Sequence, residues 1–426
     1  MRTARESVDL IRPIDTLAAP IITGQPAAFL SALAERDDYE DLAIFGGLLI
    51  EEYAVLRQRG VRYLSGFYGP IDRGLKSAGA HVAYLPVDFL GWEWYARRAT
   101  PRVIASALSP MDTRGFLSFG LHAGAVFEPF REAARDPNRL AIGEVVRDMP
   151  YVLGLGRYGG HRIHISELDC VIESDRSAHE LPVSPVSEAD EAIARHVERL
   201  IEDGSTLQFG IGAIPNIVGQ LLAEGTKGDF GIHTEMMVEG IMRLHEAGKV
   251  TNRKGIFDGF SVATFAAGSR ALYRWMHRNP KVKLLPVGQV NDPAIIRRNR
   301  CMVSVNGALA VDLSGQIMAD TIGPRQYSGV GGHELFAVGA HDSPGGKSII
   351  CLHSTAAVGG KTVSTITVHL PPGTRVTTPR HHVQYIVTEH GAADLGMLGD
   401  GERAQALAEI AHPDFRRELR AAARDL

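Results

Sequence analysis

Cysteine is scarce in this chain. Only Cys170, Cys301 and Cys351 occur among 426 residues, an odd count with no Cys-x-x-Cys spacing, which excludes a disulfide framework and a structural zinc site. A basic excess is missing too. Lys and Arg number 45 against 49 Asp and Glu, for a formal net charge of −4. That leaves no basic stripe for coating nucleic acid, and no nucleic-acid partner is expected. No stretch reaches the roughly 18 uninterrupted apolar residues of a membrane span. Residues 1–15 mix charges throughout and hold no apolar leader segment. These absences predict a protein of the cytoplasm without membrane association.

Several catalytic signatures are also lacking. There is no His-Glu-x-x-His zinc helix. The pairs His161/His164 and His381/His382 have no acidic or cysteine partners at metal-ligand spacing, so no metal is expected and they read as surface or loop histidines. No Gly-x-Ser-x-Gly elbow marks a serine hydrolase of the common α/β type. Gly346-Lys347-Ser348 looks like the end of a phosphate-binding loop, yet His341 stands where that loop needs its first glycine. Beyond it, Ile349 to Leu352 reads as a strand and not as the required helix. The turn Gly210 to Pro215 ends in proline where a dinucleotide fingerprint needs its third glycine.

What is present is an ordinary globular composition, 45% hydrophobic and 22% charged, with room for two domains. Short β-rich runs (Asp41 to Phe45, Val61 to Phe67, His81 to Tyr84, Arg102 to Ala107, Leu140 to Val145) alternate with helical patterns such as Ala27 to Arg36. This is the pattern of α/β layers on mostly parallel sheets. The polar stretch Glu173 to Pro185 holds two prolines and reads as a linker. The predicted architecture is therefore two tandem open α/β domains, residues 1–180 and 186–426.

The second half carries the chemistry. Ser187 opens an amphipathic helix with acidic residues in its first turn. A strand, Thr206 to Phe209, runs into Gly210-Ile211-Gly212, and Pro215 suits the first position of the helix beyond. Glycines at the carboxyl end of a parallel strand, facing a helix N-terminus, lie where open α/β sheets bind ligands. The unpaired N–H groups there favour an anion or a developing oxyanion. A second strand, Asp229 to His233, delivers Glu235 near its own carboxyl end. Gly329-Val330-Gly331-Gly332 offers a further set of backbone amides. Taken singly, each has an ordinary structural reading as a turn, a helix cap or a bulge. Together they supply a nucleophile and two amide cradles. The aromatic cluster Trp92 to Tyr95 reads first as core packing and second as the lining of an acyl pocket.

These segments carry a resemblance. The runs Ile201 to Asn216, Gly231 to Met236, Asn291 to Ile296, Val311 to Gln316, Gly323 to Gly332 and Val387 to Gly391 resemble those of the acetyl-CoA hydrolase/CoA-transferase family. Its relatives act as 4-hydroxybutyrate, butyrate or acetate CoA-transferases. The resemblance implies a CoA-transferase fold with the active site in the cleft between its two domains. It makes Glu235 the nucleophile, and it assigns Gly210, Ile211, Gly212, Ala213 and Ile214 to CoA, with the Ile211 amide as an oxyanion donor. Gly331 and Gly332 would give opposing amides near the acyl carbonyl, Asn291 a side-chain donor to the enzyme-bound thioester, and Lys347 a charge partner for the CoA phosphates.

The reaction so implied is a ping-pong exchange between acyl-CoA and small carboxylic acids through a glutamyl-CoA thioester. It needs no metal or organic cofactor, because CoA is itself the substrate. A homodimer or larger homo-oligomer is implied as well. Val238-Glu239, Asn216, His353 and Met397 depart from the family pattern and leave the acyl group open. Two other readings stay open beside the transferase: an acyl-CoA hydrolase using the same site, and a non-catalytic acyl-CoA-binding sensor.

Overall fold

The computed structural model describes residues 2–182 and 185–425. Val183 and Ser184, inside the expected linker, lie outside the described residues. The chain divides into two compact units, Met1–Pro182 with Val262–Asn291, and Val183–Ser261 with Asp292–Leu426.

The first unit is built on seven parallel strands: β1 (Ile14–Ala18), β2 (Asp41–Gly46), β3 (Val61–Ser65), β4 (Val82–Tyr84), β5 (Val103–Leu108), β6 (Leu140–Val146) and β7 (Cys170–Ser174). They lie in the order β4-β3-β2-β1-β5-β6-β7. Every residue of β5 is buried, and only the first residue of β2 is exposed, as a parallel strand covered on both faces requires. The helix expected over Ala27 to Arg36 is shorter. As α1 it spans Ala27–Ala32 and ends in a 3₁₀ turn at Leu33–Glu35. Its N-terminus has no side-chain cap of its own. Instead Glu144, fully buried in β6, accepts the amides of Ala28 at 3.1 Å and Phe29 at 3.0 Å. Trp92, on helix α2 (Phe89–Ala99), is 2% exposed and stacks on Tyr95 with ring centroids 6.3 Å apart, which is core packing, whereas Trp94 of the same cluster is 60% exposed.

Residues 262–291 cluster with the first unit although the sequence reading assigns them to the second. The reason is backbone hydrogen bonding. The Thr264 carbonyl accepts the Ala123 and Gly124 amides, the Ala266 amide reaches Leu121, and the Arg278 and Leu284 amides reach Tyr151 and Leu153. Nothing in local composition announces pairing with partners more than a hundred positions back. His161 is a further correction. It is 1% exposed, and its Nε2 lies 2.9 Å from the Gly120 carbonyl, so it is interior and not a surface residue.

The second unit opens with α3 (Glu188–Leu200), capped reciprocally by Ser187 and Asp190. Its sheet holds β8 (Thr206–Phe209), β9 (Gly231–Ile232), β10 (Met302–Gly307), β11 (Lys347–Cys351), β12 (Tyr385–Thr388) and β13 (Gly391–Asp394), in the order β9-β8-β10-β11-β12-β13. All pairings are parallel except the β12-β13 hairpin. The helices that frame the site are α4 (Ala213–Glu224), α5 (Glu239–Glu246) and α6 (His333–His341). Helices α4 and α5 touch backbone to backbone: a Cβ on Gly219 would stand 2.5 Å from the Gly240 Cα, so only glycine fits there. Asn216 reinforces this contact by accepting the Gly240 amide at 3.2 Å.

Glu144 gives the first test. Glu144→Ala leaves two helix amides without an acceptor inside the protein and should lower stability by about 2–4 kcal/mol, whereas Glu144→Gln keeps one acceptor and should lose less. Chemical denaturation of the three proteins measures the ordering.

Candidate active site

Strand β8 is the switch point of the second sheet. The chain leaves it to form β9 on one side, while β10 pairs on the other. Loops at the carboxyl ends of such strands diverge and leave a crevice there. Gly210-Ile211-Gly212 is the loop that follows β8. Gly212 has φ +133 and serves as the N-cap of α4, a torsion that residues with a Cβ rarely adopt. The turn is not crowded, since the nearest atom to a Cβ at Gly210 or Gly212 would be 3.7 or 3.9 Å away. Ile211, at its tip, is 56% exposed despite its size. Ala213 and Ile214 begin α4, and Pro215 falls at its third position, not its first. Even there it removes an amide that no helix carbonyl could have accepted.

Glu235 lies on the neighbouring loop. The expected strand Asp229 to His233 is reduced to Gly231–Ile232; beyond it the His233 amide reaches the Leu207 carbonyl at 3.2 Å, and Met236–Met237 is again extended as a strand. Thr234 is fully buried, and its Oγ1 accepts the Phe209 amide at 3.3 Å and lies 3.2 Å from the Phe209 carbonyl and 3.0 Å from that of Met236. Phe209 is the residue before Gly210. The His233 ring, also without exposure, lies 6.2 Å from that of Phe336 in α6. The Glu235 segment is therefore joined to the glycine turn through Thr234 and to α6 through His233. Glu235 itself is partly buried.

Gly331 and Gly332 stand at the start of α6, Gly331 with φ +58 and Gly332 as N-cap. This helix leads through a short loop into the first residue of β11, so it runs back along the sheet and its N-terminus lies at the carboxyl edge. His333, its first residue, has the Gly307 backbone at the end of β10 among its neighbours, and burial pushes its imidazole down to about 4. Glu334 accepts a hydrogen bond from His382 Nδ1 at 2.6 Å. The amide-bearing starts of α4 and α6 thus share one edge with Glu235. Helix starts of this kind stabilise negative charge without a cation.

One expected residue is not brought to this place. Lys347 pairs with Val303 at the opposite, amino end of the sheet, and its Nζ is held by the Leu200 carbonyl at 2.8 Å and Glu202 at 2.6 Å. A lysine so engaged at the wrong edge does not serve a ligand beside Gly210. Asn291 is fully buried at the end of residues 262–291, in the first unit, with its amide on the Val287 carbonyl. The sequence reading gave no role to Thr234 or His233. Their signal was only their place beside Glu235, since a hydroxyl's choice of a distant carbonyl leaves no periodic trace. Among the described residues, no three His, Cys, Asp or Glu side chains converge to hold a metal ion, and no helix is long and apolar enough to cross a membrane.

Comparison with known proteins places this arrangement. The acetyl-CoA hydrolase/transferase C-terminal domain model matches residues 268–423. The chain is 36% identical over 424 residues to the 4-hydroxybutyrate coenzyme A transferase of Clostridium kluyveri, covering 98% of this chain and 95% of that one. It is also 36% identical to the succinyl-CoA:cyclohexane-1-carboxylate CoA transferase of Geobacter metallireducens, covering 98% and 94%. The crystal structure of RipA from Yersinia pestis superposes with a TM-score of 0.90 at 35% identity, covering all of this chain and 97% of that one. Similarity of this extent, running through the glycine turn, the Glu235 segment and α6 alike, means that the chain belongs to the acetyl-CoA hydrolase/transferase family.

Proposed function

We propose that this protein transfers coenzyme A between an acyl-CoA thioester and a free carboxylic acid, with Glu235 as the nucleophile. The observation that carries the reading is the attachment of Thr234 to Phe209, which sets a carboxylate and a glycine turn on one sheet edge. The Glu235 carboxylate attacks the thioester carbonyl, forming a mixed anhydride and releasing CoA thiolate. The thiolate then attacks the glutamyl carbonyl, expelling the acyl group as a carboxylate and leaving an enzyme-CoA thioester. An incoming carboxylate reverses both steps, so the thioester bond is kept and no water is consumed.

Each addition places negative charge on a carbonyl oxygen. The amides at Ile211 on one side, and at Gly331 and Gly332 on the other, are the donors proposed for it, and fixed donors of this kind are worth about 3 kcal/mol apiece. Gly210, Gly212, Ala213 and Ile214 are proposed to line the path of CoA. Asn291 is retained as a proposed donor to the thioester. A homo-oligomer, a cytoplasmic setting and a reaction free of cofactors complete the proposal.

Incubation with a short acyl-CoA, hydroxylamine or borohydride trapping and peptide mass spectrometry should find the CoA adduct or its remnant on Glu235. Glu235→Gln should lose it, with exchange falling by at least about 1,000-fold while CoA still binds. Unchanged exchange in that variant would sink the proposal, and binding without turnover in the native protein would favour the sensor. CoA release that rises with added carboxylate marks a transferase, whereas release indifferent to it marks the hydrolase. Gly212→Ala should reduce kcat by about 100-fold through misdirected amides, with the fold intact by circular dichroism.

A further inference from the structure

Lys254 is fully buried. Its ammonium donates to the carbonyls of Ile256, Phe257 and Phe260, each at 2.8 Å, which uses all three of its hydrogens. The nearby carboxylate, Asp258, accepts the backbone amides of Lys254 and Gly255. Burial pulls the lysine's pKa down to about 7, opposed by Asp258. A buried charge is a costly way to hold a loop, and well-packed apolar side chains often serve stability as well or better. What the lysine adds is direction, since three donors on one nitrogen fix three carbonyls at once.

One of those carbonyls belongs to Phe257, whose φ of +54 is unusual for an aromatic residue. Its ring lies 5.9 Å from the ammonium and 6.0 Å from the His233 ring, tilted by 33°. His233 is two residues before Glu235. The lysine stem also crosses β9 closely, because a Cβ on Gly231 would stand 2.8 Å from the Lys254 Cβ. Further along, the Lys254 carbonyl accepts the Arg300 amide just ahead of β10. The Ile232 amide in turn is taken by Asn252 at 2.9 Å. The loop from Thr251 to Phe260 is thus fastened to the strand that carries the candidate nucleophile.

We infer that Lys254 is a positioning residue for the transfer reaction: by holding the Phe257 backbone in its left-handed turn, it presses the Phe257 ring on His233 and so fixes the direction of Glu235. This rests on the assignment of Glu235 as nucleophile. Neither Lys254 nor Phe257 touches substrate in this scheme, so their loss acts on the rate of thioester formation and leaves acyl-CoA affinity in place.

The test compares the native protein with Lys254→Met, Phe257→Leu and the double variant, reading kcat, KM for acyl-CoA, the single-turnover rate of adduct formation on Glu235, and melting temperature. Each single variant should lower kcat and the adduct rate by about 10-fold to 100-fold. KM should stay within about 3-fold of native, as expected when only transition-state stabilisation is lost. The double variant should be no slower than the slower single one, because both changes act on one contact. Native kcat per adduct-forming site in the variants, even with a lowered melting temperature, would overturn the inference and leave Lys254 a purely structural residue. If Lys254→Met does not fold, Phe257→Leu decides alone, and native kcat there overturns it equally. Absence of any Glu235 adduct in the native protein would instead overturn the nucleophile assignment, a result distinct from native-like variants.

Discussion

The Thr234 hydroxyl, buried within hydrogen-bond distance of the Phe209 amide and carbonyl and the Met236 carbonyl, takes over where the backbone ladder stops. Strand β9 pairs through only Thr206 with Gly231 and Leu207 with Ile232. The His233 amide adds a bond to the Leu207 carbonyl at 3.2 Å, and the Thr234 hydroxyl holds the next residue. A hydroxyl is suited to the task because it accepts and donates at one point. It therefore couples Glu235 to the last residue before the glycine turn, and the sheet's switch point acquires both of its chemical parts from one contact. The fully buried, ring-flanked His233 fixes the other side of the same segment.

On the proposed reading the site handles negative charge with neutral groups. Lys347, the cation that the family resemblance suggested, is engaged with Leu200 and Glu202 at the amino edge of the sheet. What faces the Glu235 edge is the starts of α4 and α6, each entered through a glycine with positive φ. Helix starts bring oriented N–H groups whose directions are set by torsion angles, not by long flexible side chains. Such donors need little reorganisation when charge develops on a nearby carbonyl oxygen.

Much of this was legible in the sequence, and the exceptions share a cause. The strands β2, β3, β5 and β6 announced themselves through β-rich runs, the turn Gly210-Ile211-Gly212 through glycines at a predicted strand end, and the position of Glu235 through the expected strand before it. These are local signals. The start of α1 was not legible as a buried cap by Glu144, nor His161 as interior, nor residues 262–291 as part of the first unit. Each depends on a partner 40 or more residues away, which no periodicity records. Lys347 was misplaced for a related reason: the resemblance that suggested it says nothing about which end of a parallel strand it occupies. β7 was missed because its run, Cys170–Ser174, merges into the polar stretch that begins at Glu173.

The return of residues 262–291 to the first unit also sets an order of events during synthesis. Domains generally fold as units as the chain emerges, amino end first. Here the first unit cannot be finished when its first 182 residues are out, because the Ala123 and Gly124 amides still await the Thr264 carbonyl. The strand pair β8 and β9 of the second unit emerges in that interval, ahead of its own partner β10 at Met302–Gly307. For that stretch of translation the first unit, whose seven sheet strands end at Ser174, still lacks residues 262–291, while the second sheet still lacks β10 to β13.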